Sequence, residues 1–158
     1  MTRTGIGYDS HRFAPGRRLV LGGVTIPHPE GLAGHSDADV VAHALTDAIL
    51  GAAGAGSIGA LFPDSEARWK DADSIALLRE AYATVQQRGF TFVQCDITVI
   101  AEEPKIGPHA GAMAACIAGA LGASPADINV KGKTNEGMGF IGRREGMAAI
   151  AVATLERT

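Results

Sequence analysis

Residues Gly34 to Gly51, GHSDADVVAHALTDAILG, place hydroxyl, carboxylate and imidazole groups at the start of an apolar pattern with helical spacing. Ser36 followed by Asp39 is typical of a capped helix start, where free backbone N–H groups need acceptors. Gly51 predicts the end of this helix, because glycine readily adopts the conformation that terminates helices. We expect the chemistry of the protein to lie at the start of this helix.

Three polar residues recur at four-residue spacing along the same stretch. Asp39, His43 and Asp47 would share one face of the helix, opposite the apolar stripe. This row is predicted to face a site or solvent. The alternative is that both carboxylates are solvated and His43 is merely half buried.

A second group of metal-binding side chains ends the first predicted strand, Thr4 to His11. Residues two apart in a strand point to the same face, so Asp9 and His11 can reach one ion while Ser10 points away. The alternative for this pair alone is a surface carboxylate beside a hydrogen-bonded imidazole. Together with His43, the pair indicates a metal site.

Length and composition predict one domain with a substantial core. The chain has 158 residues, 46% of them hydrophobic, and a net charge of −3, which gives no general attraction for nucleic acid. Cys95 and Cys116 form no paired motif, which favours reduced core residues. We find no signal peptide or membrane span and expect a cytoplasmic protein.

The rest of the chain alternates short strand and helix patterns without repeats or linkers. Turn and capping signals place their boundaries, and Gly54 to Asp64 is predicted to be an irregular loop. The predicted elements are a hairpin in Arg18 to Ile26, a helix from Asp71–Ser74 to Gly89, a strand from Phe90 to Ile100, a helix from Pro108 to Leu121, and strands at Ile128 to Lys131 and Gly146 to Leu155.

Two further segments carry a prediction. The stretch from Lys131 to Gly146 is rich in glycine and polar residues and suits a bound phosphate, although a mobile surface loop is the alternative. The strand from Gly146 to Leu155 is apolar on both faces, which predicts that it is covered on both sides. In so small a chain, this pattern favours an oligomer.

Five motifs, in order and along nearly the whole chain, resemble the 2-C-methyl-D-erythritol 2,4-cyclodiphosphate synthases of the non-mevalonate isoprenoid pathway. The motifs are Gly7 to His11, Gly34 to Asp39, His43 to Asp47, Phe62 to Asp64 and Lys131 to Arg143. The resemblance implies an α+β homotrimer, each subunit a mixed β-sheet packed against α-helices, with active sites at the subunit boundaries.

The resemblance also implies a reaction. The family converts 4-diphosphocytidyl-2-C-methyl-D-erythritol 2-phosphate to the cyclic diphosphate and releases CMP, a metal-dependent phosphorus–oxygen lyase reaction. An ionised phosphate of the substrate is the nucleophile, so no strong protein base is required. Catalysis then depends on positioning and on charge neutralisation.

Residue roles follow from the same resemblance. Asp9, His11 and His43 match the zinc ligands, and Glu136 matches the residue that holds Mg²⁺ or Mn²⁺ with the substrate diphosphate. His35 and Thr134 match catalytic positions. Substrate binding is assigned to Ser36, Ser57, Ile58, Gly59, Phe62, Asp64, Ala101, Pro104, Lys105, Ile106, Lys133, Asn135, Phe140 and Arg143.

The sequence departs from the family pattern at two places. Ser57 stands where many members have aspartate, which affects the contacts to the erythritol hydroxyls. Gly137 and Met138 replace a bulkier, often charged pair near Phe140 and Arg143, where the family implies an isoprenoid diphosphate effector on the trimer axis.

Two other functions fit parts of the sequence. A trimeric binding module with structural zinc would have a closed metal shell and no turnover. A metal-dependent phosphohydrolase would release inorganic phosphate or an uncyclised product, and the sequence offers no clear water-activating carboxylate beside the predicted metal site.

Overall fold

The structure is a computed structural model that describes all residues from Met1 to Thr158. The strands are β1 (Thr2–Pro15), β2 (Leu19–Leu21), β3 (Val24–Ile26), β4 (Glu30–Leu32), β5 (Phe90–Ile100), β6 (Ile128–Lys133) and β7 (Gly146–Arg157). The helices are α1 (Val40–Ala53), α2 (Ile58–Leu61), α3 (Ser74–Gln87), α4 (Gly107–Leu121) and α5 (Gly139–Gly142).

Five strands form one mixed sheet in the order β4-β1-β7-β5-β6. The β5–β6 pair is parallel, as its connection through α4 requires, and the other pairs are antiparallel. Strands β2 and β3 form a separate hairpin. The long helices α1, α3 and α4 enclose the core against one face of the sheet. The predicted α+β class with a mixed sheet is confirmed.

Helix α1 lies directly on β1 because two glycines leave room for its backbone. A Cβ atom on Gly5 would lie 2.0 Å from the carbonyl oxygen of Ala48, and one on Gly7 would lie 1.8 Å from that of Ala44. The helix therefore runs antiparallel to the strand. This packing brings the start of α1 next to Asp9 and His11, in the second half of β1.

The boundaries of α1 differ from the prediction at its end. The helix continues past Gly51 to Ala53, and Gly54 in the left-handed conformation at φ 65° terminates it. Ala52 and Ala53 are still buried, whereas Gly51 is exposed. Burial of the last apolar turn thus extends the helix by two residues beyond the first glycine.

Asp39 was predicted to lie with His43 on a polar face, and this prediction is wrong. Asp39 is the N-cap of α1 and is completely buried. Its carboxylate accepts hydrogen bonds from the backbone N–H groups of Val41, Ala42, Gly22 and Gly23, at 2.7 to 3.1 Å. Burial raises the pKa of Asp39 to about 6, although bonds from these N–H groups act in the opposite direction. Asp39 therefore joins the β2–β3 hairpin to the helix.

Asp47 also has a structural partner. Its Oδ1 accepts a hydrogen bond of 2.7 Å from the N–H of Ile58, at the first residue of α2. The stretch predicted to be an irregular loop thus contains a short helix, which Ser57 caps by accepting a bond from the N–H of Ala60. A four-residue helix has too little periodicity to be visible in a sequence.

The other predicted elements are confirmed, with β1, β6 and β7 longer than expected. A register shift between Phe92 and Gln94 breaks the alternation of β5, so Val93 is exposed. Within the single chain β7 is covered on one side only, so its cover on the second side stays a prediction for an oligomer. Its outer face leaves Ile150 and Val152 half-buried.

Cys95 and Cys116 are free thiols, as predicted. Burial raises the pKa of the Cys95 thiol to about 12, so it is protonated at neutral pH. None of the helices combines the length and apolar character that crossing a bilayer requires.

The glycine contact between α1 and β1 can be tested by substitution. We expect Gly7→Ala to lower the free energy of unfolding by about 3 kcal/mol or more, because the new methyl group displaces the helix backbone. Gly119→Ala is the matched control, since no atom lies within 4 Å of its new Cβ and it is exposed in α4. That change should stabilise the chain by about 0.5 to 1 kcal/mol. Urea unfolding of both variants measures the difference, and equal stabilities would contradict the packing.

Candidate metal centre and neighbouring pockets

Asp9 and His11 from β1 meet His43 from α1 at one point. His11 Nε2 lies 2.8 Å from Asp9 Oδ2, His43 Nδ1 lies 3.1 Å from the same oxygen, and the two ring nitrogens are 3.2 Å apart. Ser10 points to the opposite face of the sheet and is exposed. The alternation of β1 and the packing of α1 thus produce the convergence that the sequence predicted.

The carboxylate of Asp9 and the imidazole of His11 shift each other's pKa values. Burial alone raises the pKa of the Asp9 carboxyl, but the adjacent His11 and His43 rings outweigh burial and hold that pKa below its usual range. Burial alone lowers the pKa of His11, whereas its hydrogen bond to Asp9 raises it, and the net change is upward. Asp9 is therefore ionised at neutral pH and available as a ligand.

The donor set fits a divalent metal ion. One carboxylate oxygen and two imidazole nitrogens can each offer a ligand atom, and these atoms lie within 4.8 Å of one another. Ligand atoms about 2.0 to 2.1 Å from a tetrahedral zinc ion lie about 3.3 Å apart, close to the spacing found here. Three protein ligands leave the remaining coordination position to another molecule.

The second nitrogen of each ring is also bonded. His11 Nδ1 donates to the carbonyl oxygen of Ala33 at 2.9 Å, which leaves its Nε2 toward the cluster. His43 Nε2 lies 2.7 Å from the hydroxyl of Ser74 and 3.1 Å from that of Ser36. Such contacts fix the orientation of metal-binding imidazoles.

The cluster opens into a cavity of about 250 Å³. Twelve residues line this cavity, and nine of them were predicted as site residues. The three that were not predicted are Gly34, Trp69 and Leu77. The predicted lining residues are Asp9, His11, His35, Ser36, His43, Ile58, Gly59, Phe62 and Asp64. Gly34 packs against the His11 ring, and a Cβ on it would lie 3.2 Å from His11 Cε1.

One wall of this cavity is the segment that follows α2. The ring of Phe62 meets that of Trp69 edge to face, with centroids 4.8 Å apart. His35 Nε2 donates to the carbonyl oxygen of Glu66 at 3.3 Å, and the N–H of Asp71 donates to the carbonyl oxygen of His35 at 2.7 Å. These two hydrogen bonds therefore hold the segment from Glu66 to Asp71 against the loop that carries His35. Trp69, the single tryptophan of the chain, was the signal that the sequence offered for this wall.

A second cavity, of about 320 Å³, lies between the loop after β5 and the end of β6. Six predicted site residues line it: Ala101, Pro104, Lys105, Ile106, Lys133 and Thr134. Glu102 was not predicted as a site residue. It stabilises the turn after β6, because its Oε1 accepts hydrogen bonds from the N–H groups of Asn135 and Gly137 at 3.0 and 3.1 Å. The two cavities share no lining residue.

Five predicted site residues line neither cavity. Ser57 caps α2, and Asn135 donates through its side-chain amide to the carbonyl oxygen of Met138. Glu136 is exposed and has a positive φ of 54°. Phe140 is 41% exposed and lines a third cavity beside His11. Arg143 is exposed and pairs with Glu145 at 2.8 Å.

The sequence is similar to known enzymes over almost its whole length. Residues 2–156 match the model of the YgbB family. A 2-C-methyl-D-erythritol 2,4-cyclodiphosphate synthase of Bordetella petrii is 57% identical over 155 residues, which cover 98% of this chain and 96% of that protein. A bifunctional enzyme IspD/IspF of Anaeromyxobacter dehalogenans is 61% identical over 154 residues; the match covers 98% of this chain but 40% of that enzyme.

Solved structures show the same similarity. A CDP-bound 2C-methyl-D-erythritol-2,4-cyclodiphosphate synthase superposes with a TM-score of 0.89 at 40% identity, covering 98% of this chain and all (100%) of that one. The bifunctional IspDF from Campylobacter jejuni superposes with a TM-score of 0.97 at 47% identity, and the match covers 100% of this chain and 43% of that protein.

The role of Glu102 can be measured at the two amides that it holds. We expect Glu102→Ala to speed hydrogen exchange at Asn135 and Gly137 by roughly tenfold or more, because a bond to a charged acceptor contributes about 1.5 to 3 kcal/mol. Glu103→Ala is the control, since Glu103 contacts the exposed Arg144 at 3.4 Å and neither amide. Unchanged exchange in Glu102→Ala would show that another group orders the turn.

Proposed function

Because the chain belongs to the YgbB family and has 2-C-methyl-D-erythritol 2,4-cyclodiphosphate synthase activity, we propose that its Asp9–His11–His43 cluster is the zinc site of that reaction. The single observation that supports this most strongly is the convergence of three zinc-type ligand atoms in the wall of a cavity. The substrate is 4-diphosphocytidyl-2-C-methyl-D-erythritol 2-phosphate, and the products are the cyclic diphosphate and CMP.

The reaction exchanges one phosphorus–oxygen bond for another. An oxygen of the substrate's 2-phosphate bonds to the β-phosphorus, and the bond from that phosphorus to the oxygen of CMP breaks. The nucleophile is already ionised, so the protein supplies no proton acceptor for it. The protein's task is to hold two mutually repelling phosphates together and to neutralise charge on the departing CMP.

Asp9, His11 and His43 would hold the zinc ion at the phosphate end of the first cavity. A zinc ion bound there would supply positive charge to the phosphate groups of the substrate. His35 and Ser36 line the same cavity and would contact the phosphate end of the substrate. Ile58, Gly59, Phe62 and Asp64, across the cavity, would enclose the methylerythritol unit.

The second cavity suits the cytidine end of the substrate. Its walls from Ala101 to Ile106 offer backbone and apolar contacts for a base, and Lys133 and Thr134 at its rim offer a positive charge and a hydroxyl for the phosphates. The CDP-bound relative supports nucleotide binding by this fold. Glu136, exposed beside this cavity's rim, would hold Mg²⁺ or Mn²⁺ through its carboxylate and the substrate diphosphate.

We propose that the active form is a homotrimer with each site between two subunits. The outer face of the sheet exposes Ile6 by 70% and Tyr8 by 55%, and these pair across the sheet with Val152 and Ile150. Such an apolar surface favours burial against another copy. The two cavities, which we call the first and second half-sites, share no lining residue within one chain. One substrate would therefore bridge half-sites of neighbouring subunits.

Three further expectations stay predictions. They are contacts of Ser57 and Asn135 with substrate, an isoprenoid diphosphate effector near Phe140 and Arg143, and a cytoplasmic location.

Replacing His43 tests whether the metal serves chemistry. We expect His43→Ala to lose most bound zinc and nearly all CMP release, while its circular dichroism and its trimer persist, because the core of α1 does not depend on the ion. Metal analysis, thermal melting and CMP release are measured on one preparation. An unfolded variant would favour a structural zinc, whose removal also removes folding free energy. Full zinc and full turnover would exclude His43 from the site.

Mixing two inactive variants tests whether sites form between subunits. His43→Ala disables the first half-site and Lys133→Ala the second, so co-refolded trimers should contain some sites with two intact halves. For random assembly of equal amounts, about one quarter of the sites are intact, and CMP release should recover to about that fraction. Activity that stays at the sum of the two separate variants would show that both halves come from one subunit.

A further inference from the structure

We propose that Asp37 is a positioning residue for the metal centre: through the hydroxyl of Ser74 it fixes the proton of His43 on Nε2 and keeps Nδ1 free for the metal. This inference rests on the proposed metal site. It concerns a residue outside the ligand set, in the turn before α1.

The first step is the orientation of the His43 ring. Its Nδ1 faces Asp9 Oδ2 at 3.1 Å and His11 Nε2 at 3.2 Å. A neutral imidazole carries one proton, on one of its two nitrogens, and only the other nitrogen can bind a metal. Metal binding by Nδ1 therefore requires the proton on Nε2.

The second step concerns the groups that face Nε2. The hydroxyl of Ser74 lies 2.7 Å away, and that of Ser36 lies 3.1 Å away. A serine hydroxyl can donate or accept, so its presence alone does not select a tautomer. If Ser74 donated to Nε2, the proton of His43 would lie on Nδ1 and would occupy the metal-binding position.

Asp37 removes this ambiguity. Its Oδ1 accepts a short hydrogen bond from the Ser74 hydroxyl. An ionised carboxylate only accepts, so the hydroxyl proton points to Asp37 and a lone pair of Ser74 faces Nε2. The order of donation is then His43 to Ser74 to Asp37. Ser74 has no exposed surface, so water does not compete for this hydroxyl.

The carboxylate of Asp37 is itself held in place. Its Oδ2 accepts from the N–H of Ser74 at 3.1 Å, and its Oδ1 accepts from the N–H of Asp39 at 3.1 Å. One aspartate thus connects the turn before α1 with the first residue of α3. Carboxylates that act on metal-binding histidines change metal affinity by about 10- to 100-fold when they are replaced.

The test compares Asp37→Asn with Asp73→Asn. Asp73 is the matched control because it is an aspartate in the same region. It caps α3 by accepting from the N–H of Ile75 at 2.9 Å, and it makes no hydrogen bond to Ser74 Oγ or His43. We expect zinc affinity, measured by chelator competition, to fall about 10- to 100-fold in Asp37→Asn and to stay within about twofold of wild type in Asp73→Asn.

Thermal melting separates positioning from simple destabilisation. A residue that only stabilises the fold lowers the Tm equally with and without zinc, whereas a positioning residue reduces the rise in Tm that a fixed zinc concentration produces. We expect the reduced rise in Asp37→Asn. Nitrogen-15 spectra of the zinc-free protein, at a pH where the ring is neutral, should show His43 as the Nε2–H tautomer in wild type and as a mixture of the Nε2–H and Nδ1–H tautomers in the variant.

Ser74→Ala provides a second route to the same link if Asp37→Asn does not fold. It removes the hydroxyl and should weaken zinc binding to a similar extent. Wild-type zinc affinity together with a pure Nε2–H tautomer in either folded variant would overturn the proposal. Failure of wild-type protein to bind zinc through His43 would instead overturn the metal site, so the two failures are distinguishable.

Discussion

The close contact between helix α1 and strand β1 determines the rest of this structure. Gly5 and Gly7 have no side chains, so the carbonyl oxygens of Ala48 and Ala44 lie where Cβ atoms would otherwise stand. With the helix antiparallel to the strand, the next inward position of β1 after Gly7 is Asp9, and the residue of α1 that reaches it is His43. The glycines therefore set both the layer spacing and the geometry of the metal ligands.

Polar residues around this contact divide into two groups with different tasks. Asp39 and Asp47 satisfy backbone N–H groups and hold the hairpin and α2 to the helix. Asp9, His11 and His43 keep ligand atoms directed into a cavity. Asp37 and Ser74 connect the groups, because their hydrogen bonds belong to the fold at one end and reach Nε2 of His43, the ring nitrogen that faces away from the metal cluster, at the other. Folding and chemistry thus share one hydrogen-bond network.

The reaction explains why most residues of the site would bind and orient the substrate and take no chemical part in the reaction. A phosphate that attacks its own molecule needs no activated nucleophile from the protein, so the useful contributions are closeness, orientation and positive charge. Under the proposed function, the cavity beside the Asp9–His11–His43 cluster and the cavity beside Lys133 and Thr134 would bind the two ends of the substrate. In the proposed trimer, the exposed apolar face around Ile6 and Tyr8 would form the contact between subunits.

The sequence by itself determined the types of the longer elements, the shared face of Asp9 and His11, and the partnership of these residues with His43. Side-chain alternation, helical spacing and the family motifs all depend on residues that are close together in the chain, so they can be recognised in the sequence. Only the tertiary structure decided that Asp39 is buried and that Gly54 rather than Gly51 ends α1. It also decided that Glu102 holds Asn135 and that Ser74 lies against His43. These partners are distant in the chain, and local periodicity fixes which face of its own element a side chain occupies but not which element packs there.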